Sequence, residues 1–298
     1  ELPEAYYNSN LMRICFACNH FMNYRLNSFG GIKALRRLAT GTTSVAAIYT
    51  RDLLKMKITF PTLPEQKKIA DFLTSVDERI GQLIKKKALL EDYKKGVMQQ
   101  LFSQQIRFKD DNGNDFPDWE EKKAKDCFSR HSNKNHKSDL PILSASQEHG
   151  MVSREDNGIQ IQATAQSVAS YKVVEIGDFV ISLRSFQGGI EYSKITGICS
   201  PAYTIMKASI PAEGHFYRHY FKTDSFIQRL SNTVVGIRDG KQISYDAFGT
   251  LALPVPSVPE QKKIADFLTS VDQKIESVSH QIAKTQTFKK GLLQQMFV

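Results

Sequence analysis

The sequence predicts an α+β chain: mixed α/β domains separated by two long helices that form an antiparallel coiled coil. Three observations carry this. A stretch of sequence occurs twice, apolar positions step by four and three beyond each copy, and short β-type runs with turn signals lie between the copies. Pro64 to Asp77 (Pro-Glu-Gln-Lys-Lys-Ile-Ala-Asp-Phe-Leu-Thr-Ser-Val-Asp) recurs letter for letter at Pro259 to Asp272, an offset of 195 (259 − 64). The match continues without a gap through Ile80 and Ile275 to Lys94-Lys95-Gly96 against Lys289-Lys290-Gly291. It ends with Gln99-Gln100 and Phe102 against Gln294-Gln295 and Phe297. The chain is therefore an internal duplication.

Residues 1–61 carry scattered matches in the same register: His20-Phe21 with His215-Phe216, Ile32 with Ile227, Leu35 with Leu230, Gly41 with Gly236, Ile48 with Ile243, Pro61 with Pro256. They are expected to be the C-terminal remnant of a first domain, in a chain that is either shortened at its N-terminus relative to two equal units or only part of a longer one. Cys15, Cys18 and His20 lie close in sequence, but no second ligand pair follows at zinc-site spacing, so buried thiols and no metal site are expected.

The first long helix is expected over 62–104 and the second over 257–298. Thr62-Leu63-Pro64-Glu65 and Ser257-Val258-Pro259-Glu260 fit a capping box, with proline tolerated in the first turn because its missing N–H would be unpaired there. The seam of the first helix is Ile69, Leu73, Val76, Ile80, Leu83 and Leu90, then Val97 and Leu101, with Lys87 and Lys94 interrupting. That of the second is Ile264, Leu268, Val271, Ile275, Val278 and Ile282, then Leu292 and Met296, with Thr285 and Lys289 interrupting. One register in both copies favours pairing with each other over two helices each covering its own domain. Gly96 and Gly291, at matching interior positions, imply a close helix approach or a local break. Forty-odd residues of helix span on the order of 60 Å. The first helix ends where the next domain begins and the second starts where that domain ends, so the two should run antiparallel.

A second domain is expected over 105–256. Asp111-Asn112-Gly113-Asn114 is a turn signal, and Phe116-Pro117-Asp118-Trp119 opens the domain. β-type runs follow at 158–162, 171–176, 179–183 and 202–206, a helical pattern at 216–230, and a hairpin signature with Asp239-Gly240 at its turn.

Net charge is +9, which suits a polyanionic partner. Eight Lys/Arg face three Asp/Glu in residues 1–60, whereas 103–258 is balanced at 18 against 18, so a basic surface in the second domain must come from distribution. No signal peptide and no apolar run near about 18 residues are seen, which predicts a cytoplasmic chain with no membrane role. No Gly-x-x-x-x-Gly-Lys-Ser/Thr, no Asn/Asp-Pro-Pro-aromatic run and no nucleophile–base pair stand out, which favours a binding protein over an enzyme.

At these residues the chain resembles the specificity subunit of type I restriction-modification enzymes. The carriers are the two Pro-Glu-Gln-Lys-Lys-Ile-Ala helices, Phe116-Pro117-Asp118-Trp119-Glu120, Gly177-Asp178 with the run Ser182 to Gly189, Ser200-Pro201-Ala202-Tyr203, and the run Gly236 to Ser244. The resemblance implies two target-recognition domains, each reading one half of a split double-stranded DNA target, held apart by two conserved spacer helices. These would dock modification subunits, two in number, that methylate adenine, and translocating restriction subunits would join. It implies no cofactor in this chain, with S-adenosylmethionine and ATP on the partner subunits. Most of the first recognition domain is missing, which puts reading of both halves by this chain in question.

For DNA contacts the expected residues are Arg184, Gln187, Arg238, Lys241 and Gln242, because Arg and Lys donate to guanine edges and Gln pairs bidentately with adenine. Gly188 and Gly189 would let backbone approach a groove or phosphate. Ser185, Tyr171 and Arg154 are weaker phosphate candidates, and Lys85 to Lys87 are read as a solvated helix face. The rival reading is a coiled-coil assembly protein with no nucleic-acid role.

Overall fold

The structure, a computed structural model, describes residues 13–40, 47–155, 165–233 and 243–297. Two units emerge: Glu1–Glu91 with Lys274–Val298, and Asp92–Gln273. The expected run at 158–162 and the hairpin at 237–243, apart from Ile243, lie outside the described residues.

The long helices run Leu63–Phe102 and Val258–Met296, within two residues of the expected bounds. They pack antiparallel in each unit. In the first, Ala70 and Leu73 share a core with Leu292, Leu293 and Phe297; in the second, Met98 and Leu101 share one with Ile264, Ala265 and Leu268. Of the seam positions, Leu73, Val76, Leu83, Ile264, Leu268, Val271 and Val278 are buried, while Ile69, Ile80, Leu90, Ile275 and Ile282 are half-buried.

Two of the four polar interruptions, Lys94 and Lys289, form ion pairs between the helices. Lys94 meets Asp272 at 2.6 Å in the second unit, and the shifted counterpart, Lys289 with Asp77, forms in the first. A third residue joins each pair. Tyr24 donates its hydroxyl to Asp77 at 2.8 Å and lies 3.3 Å from the Thr74 hydroxyl, and its counterpart His219 lies 3.5 Å from the Thr269 hydroxyl.

Two sequence expectations for these helices fail. The capping box does not form at the second helix: the Ser257 hydroxyl is buried without a partner, and Glu260 bonds elsewhere, because the half-buried Arg107 and Trp119 take up its carboxylate. Gly96 and Gly291 mark neither a break nor a close approach, since both helices are continuous and a Cβ at either position would meet nothing within 4 Å.

In the first unit, helices Asn19–Asn27 and Phe29–Leu38 meet at Ser28, whose side chain accepts from the Gly31 N–H and so caps the second helix. In the second unit, helices Gly214–Tyr220 and Asp224–Ser231 meet at Thr223, which caps in the same way onto Phe226, breaking the single helical pattern expected at 216–230. An aromatic contact repeats with it: Phe21 on Phe297 and Phe216 on Phe102, each with ring centroids 5.5 Å apart at 64°.

The second unit also holds the strands. A four-stranded antiparallel sheet has the order 128–131, 204–208, 179–181, 191–192, with Phe179 opposite both Met206 and Tyr192. Pairs Glu120–Lys123 with Ala252–Val255, Leu143–Ser146 with Gly150–Ser153, and Lys172–Val174 with Gly197–Cys199 complete the β structure. Phe128, Phe179, Phe216, Tyr217, Phe221, Phe226 and Phe248 are all buried in one core, an edge-to-face aromatic cluster in which each pair adds about 0.5–1.5 kcal/mol beyond area burial.

Candidate nucleic-acid interface

Strand Phe179–Ile181 is buried on both faces and leads into residues 182–189, where the sequence placed its densest set of DNA contacts. Gly177, at φ +96°, turns the chain into this strand. Asp178 is buried there and accepts from the Glu175 N–H at 2.8 Å; burial pushes its carboxyl up, against that hydrogen bond and the nearby Lys207.

The loop is held from inside. Ser185 is 1 % exposed, and its hydroxyl accepts from the Ser182 N–H at 2.8 Å, so it staples the turn and is not available to a phosphate. Residues Ser185–Gly188 form one helical turn that ends at Gly189, with φ +80°. A Cβ on Gly189 would lie 2.0 Å from the Phe221 carbonyl oxygen, so the close approach predicted for this glycine is to the protein's own backbone. Gly188 is also committed: its carbonyl accepts from Lys222 at 2.7 Å, and the Gln147 side chain lies where its Cβ would be. Lys222 reaches both Glu191 oxygens at 2.8 Å; burial pushes the Glu191 carboxyl up and the Lys222 ammonium down, and their mutual attraction opposes both.

With the inside of the loop occupied, Leu183, Arg184 and Gln187 are its exposed residues. Arg154 and Tyr171 form a unit of their own: the guanidinium sits 5.7 Å over the ring and donates to the phenol at 3.4 Å, and Tyr171 is only 8 % exposed. Tyr203 is half-buried. Its phenol is pushed up by burial and drawn back by a hydrogen bond from the Ala145 backbone and by the charges of Arg154 and Arg184. The buried Lys172 fixes the Tyr203 turn by donating to the carbonyls of Pro201 and Tyr203, each at 2.6 Å.

Arg184 and Gln187 thus stand exposed on a loop supported by Ser185, Gly188 and Gly189, and Arg154 with Tyr171 forms a separate pair in the second unit. Arg238, Lys241 and Gln242 lie outside the described residues. Gln147 was missed; a Gln in a polar turn carries no signal of its own, and only its contact with Gly188 places it here. Lys85 and Lys86 are exposed, and Lys87 pairs with Glu91 at 3.6 Å.

Among the described residues no group of three His, Cys, Asp or Glu side chains could hold a metal ion, and no helix is long and apolar enough to cross a membrane. Contrary to the buried thiols expected, Cys15 is exposed and Cys18 half-buried, since residues 13–18 precede the first packed helix turn.

Known proteins resemble this chain over most of its length. It is 26 % identical over 278 residues to the specificity subunit of the type I restriction enzyme MjaVIII of Methanocaldococcus jannaschii, covering 85 % of this chain and 64 % of that protein. It is 24 % identical over 291 residues to the sequence assigned as the MjaX specificity subunit of the same organism, covering 92 % and 66 %. The chain spans about two thirds of the length of these curated relatives. Its fold is similar to the crystal structure of the type I restriction-modification S subunit from M. genitalium, with a TM-score of 0.58, 18 % identity, and coverage of 94 % of this chain and 72 % of that one. The family described as type I restriction modification DNA specificity domain matches residues 6–91 and 117–286, in both units, and the chain belongs to that family.

Proposed function

We propose that this chain is the DNA-recognition subunit of a type I restriction-modification assembly and is itself not an enzyme. The observation that carries the reading is the family match over both units, joined to a loop whose polar backbone and small side chains are consumed internally while Arg184 and Gln187 stay exposed. A reading surface needs this combination, because a base contact discriminates only when its side chain is held in place before DNA arrives. The unit Asp92–Gln273 reads one half of a split double-stranded target. The long helices dock two modification subunits, which bind S-adenosylmethionine and methylate adenine. Restriction subunits that use ATP to translocate DNA complete the assembly, which works in the cytoplasm.

Filter binding of the purified chain to duplex DNA at varied salt tests the reading. Each phosphate contact should add about 0.9 to the slope of log affinity against log salt. A flat salt response would leave a coiled-coil assembly protein as the better description. Transfer of a labelled methyl group by this chain alone, without a partner, would equally overturn it.

A further inference from the structure

In the second unit, the hairpin of Leu143–Ser146 with Gly150–Ser153 ends beside the 182–189 loop. Ser146 and Gly150 are its last pair, which leaves Gln147, Glu148 and His149 as the tip, and all three are exposed. The base of the tip is fixed. The Ser146 hydroxyl accepts from the His149 N–H at 3.2 Å, and Gly150, at φ +80°, takes the left-handed conformation that ends the turn. A Cβ on Gly150 would lie 2.4 Å from the Tyr192 carbonyl oxygen, and the next residue, Met151, bridges Ser193. The hairpin is thus clamped to 191–192, the edge strand of the four-stranded sheet and the strand into which the loop runs.

From this base the Gln147 side chain reaches across the loop. A Cβ on Gly188 would come within 2.6 Å of the Gln147 Cγ and Cδ and 2.9 Å of its Nε2, so the amide occupies space that is open because residue 188 is glycine. Gly188 is held in turn by Lys222, which donates to its carbonyl at 2.7 Å. Gln147 therefore stands next to the exposed Gln187, on a different element. The tip carries no lysine or arginine, and the Glu148 carboxylate would repel a phosphate, so its chemistry fits base edges and not the DNA backbone. A glutamine amide donates to adenine N7 and accepts from the adenine N6 amino group.

We propose that Gln147 is a further specificity-determining residue, which reads an adenine in the major groove beside the contacts of the 182–189 loop, and that residue 188 is glycine to leave room for its amide. The proposal rests on the reading of the unit Asp92–Gln273 as the one that recognises DNA.

Selection of duplexes from a randomised pool by the full chain tests it. Wild type should select adenine at one position where Gln147→Met lowers the preference at least about fivefold. The other selected positions and the salt slope should not change, because methionine keeps the packing over Gly188 and no phosphate contact is lost. Gly188→Ala, whose methyl group displaces the amide, should relax the same position and add nothing in the Gln147→Met background. Replacing that adenine with 7-deazaadenine, which lacks the N7 acceptor, should weaken wild type several-fold and leave Gln147→Met unaffected. An unchanged selection by Gln147→Met overturns the proposal, since the side chain would then only pack on the loop. So does an equal loss at every position, or relaxation at a base pair other than A·T. A wild-type chain that selects no sequence refutes the DNA reading itself, and the role of Gln147 with it.

Discussion

Within residues 182–189, Arg184 and Ser185 are neighbours with opposite duties. Arg184→Ala should leave the fold intact and lose about 1–3 kcal/mol of preference for the cognate half-site over scrambled duplex, measured by competition binding. Ser185→Ala removes the acceptor of the buried Ser182 N–H and should cost about 1–3 kcal/mol of stability, read by chemical denaturation, with the preference per folded molecule unchanged. Equal weakening of both duplexes by Arg184→Ala would make it a backbone contact. The sequence could nominate this run but not divide it, because Ser and Gly suit both a phosphate contact and a tight turn; only burial assigns them. His219 shows the same limit. Burial pushes its imidazole down to about 2, and Lys94 and Arg218 push the same way, while Asp272, 4.0 Å from Nδ1, is already engaged by both cations. The imidazole is neutral in the fold and protonates in the unfolded chain below about pH 6.5. Its contribution is therefore complete above that pH and is lost as pH falls toward 2. Between pH 6.5 and 5 this amounts to about 2 kcal/mol. His219→Gln, which keeps a polar group beside Thr269, should flatten that part of the stability profile measured by denaturant titration; an unchanged slope would assign the acid sensitivity elsewhere.

Helices are where the sequence was most legible. Periodicity located both long helices to within two residues and gave their seam, because a packed stripe leaves a mark every three or four positions. It read Lys94 and Lys289 as interruptions, since a one-dimensional pattern shows that a position faces the partner helix and not what waits there. The structure supplies the answer: Asp272 and Asp77, themselves equivalent in the repeat. With side chains a quarter to two fifths exposed, each pair is worth only about 1 kcal/mol or less, yet like charges in the same place fix register by repulsion. Asp77→Lys should destabilise the chain by about 1–2 kcal/mol by placing two ammonium groups together. Adding Lys289→Asp should recover most of the loss, whereas adding Lys94→Asp, at the other pair, should not. Thermal melting of the four chains decides it; recovery by Lys94→Asp would mean that the charges act through the net field and not as paired contacts. The strands were less legible. Runs of two to five residues carry little periodicity, and the break at Thr223 is a capping event that a hydrophobic pattern does not register.

Over the whole chain, the duplication is plain in the helices; the strands from Glu120 to Tyr192 have no counterpart within this sequence, because the offset of 195 places them ahead of residue 1. Among the described residues of the first unit the only β contact is the isolated bridge between Thr40 and Ala47. Its residues 1–60 instead carry eight Lys/Arg against three Asp/Glu, while the segment 103–258 is balanced. Base edges are read by side chains held on a scaffold, whereas excess positive charge binds phosphates of any sequence. On the proposed reading, the unit Asp92–Gln273 should account for the discrimination at one half of a split target. Given the target from methylome sequencing of the source strain, three duplexes are needed: intact, and with either half scrambled. Scrambling the half read by Asp92–Gln273 should remove the preference over random DNA, and scrambling the other half should leave affinity within about twofold at one fixed salt concentration, since phosphate contacts survive a change of sequence. Arg184→Ala should be silent on the duplex whose read half is already scrambled, because the contact it removes is no longer made. Equal losses from both scrambled duplexes would place a second reading surface in the first unit and refute the assignment of sequence discrimination to the second unit alone.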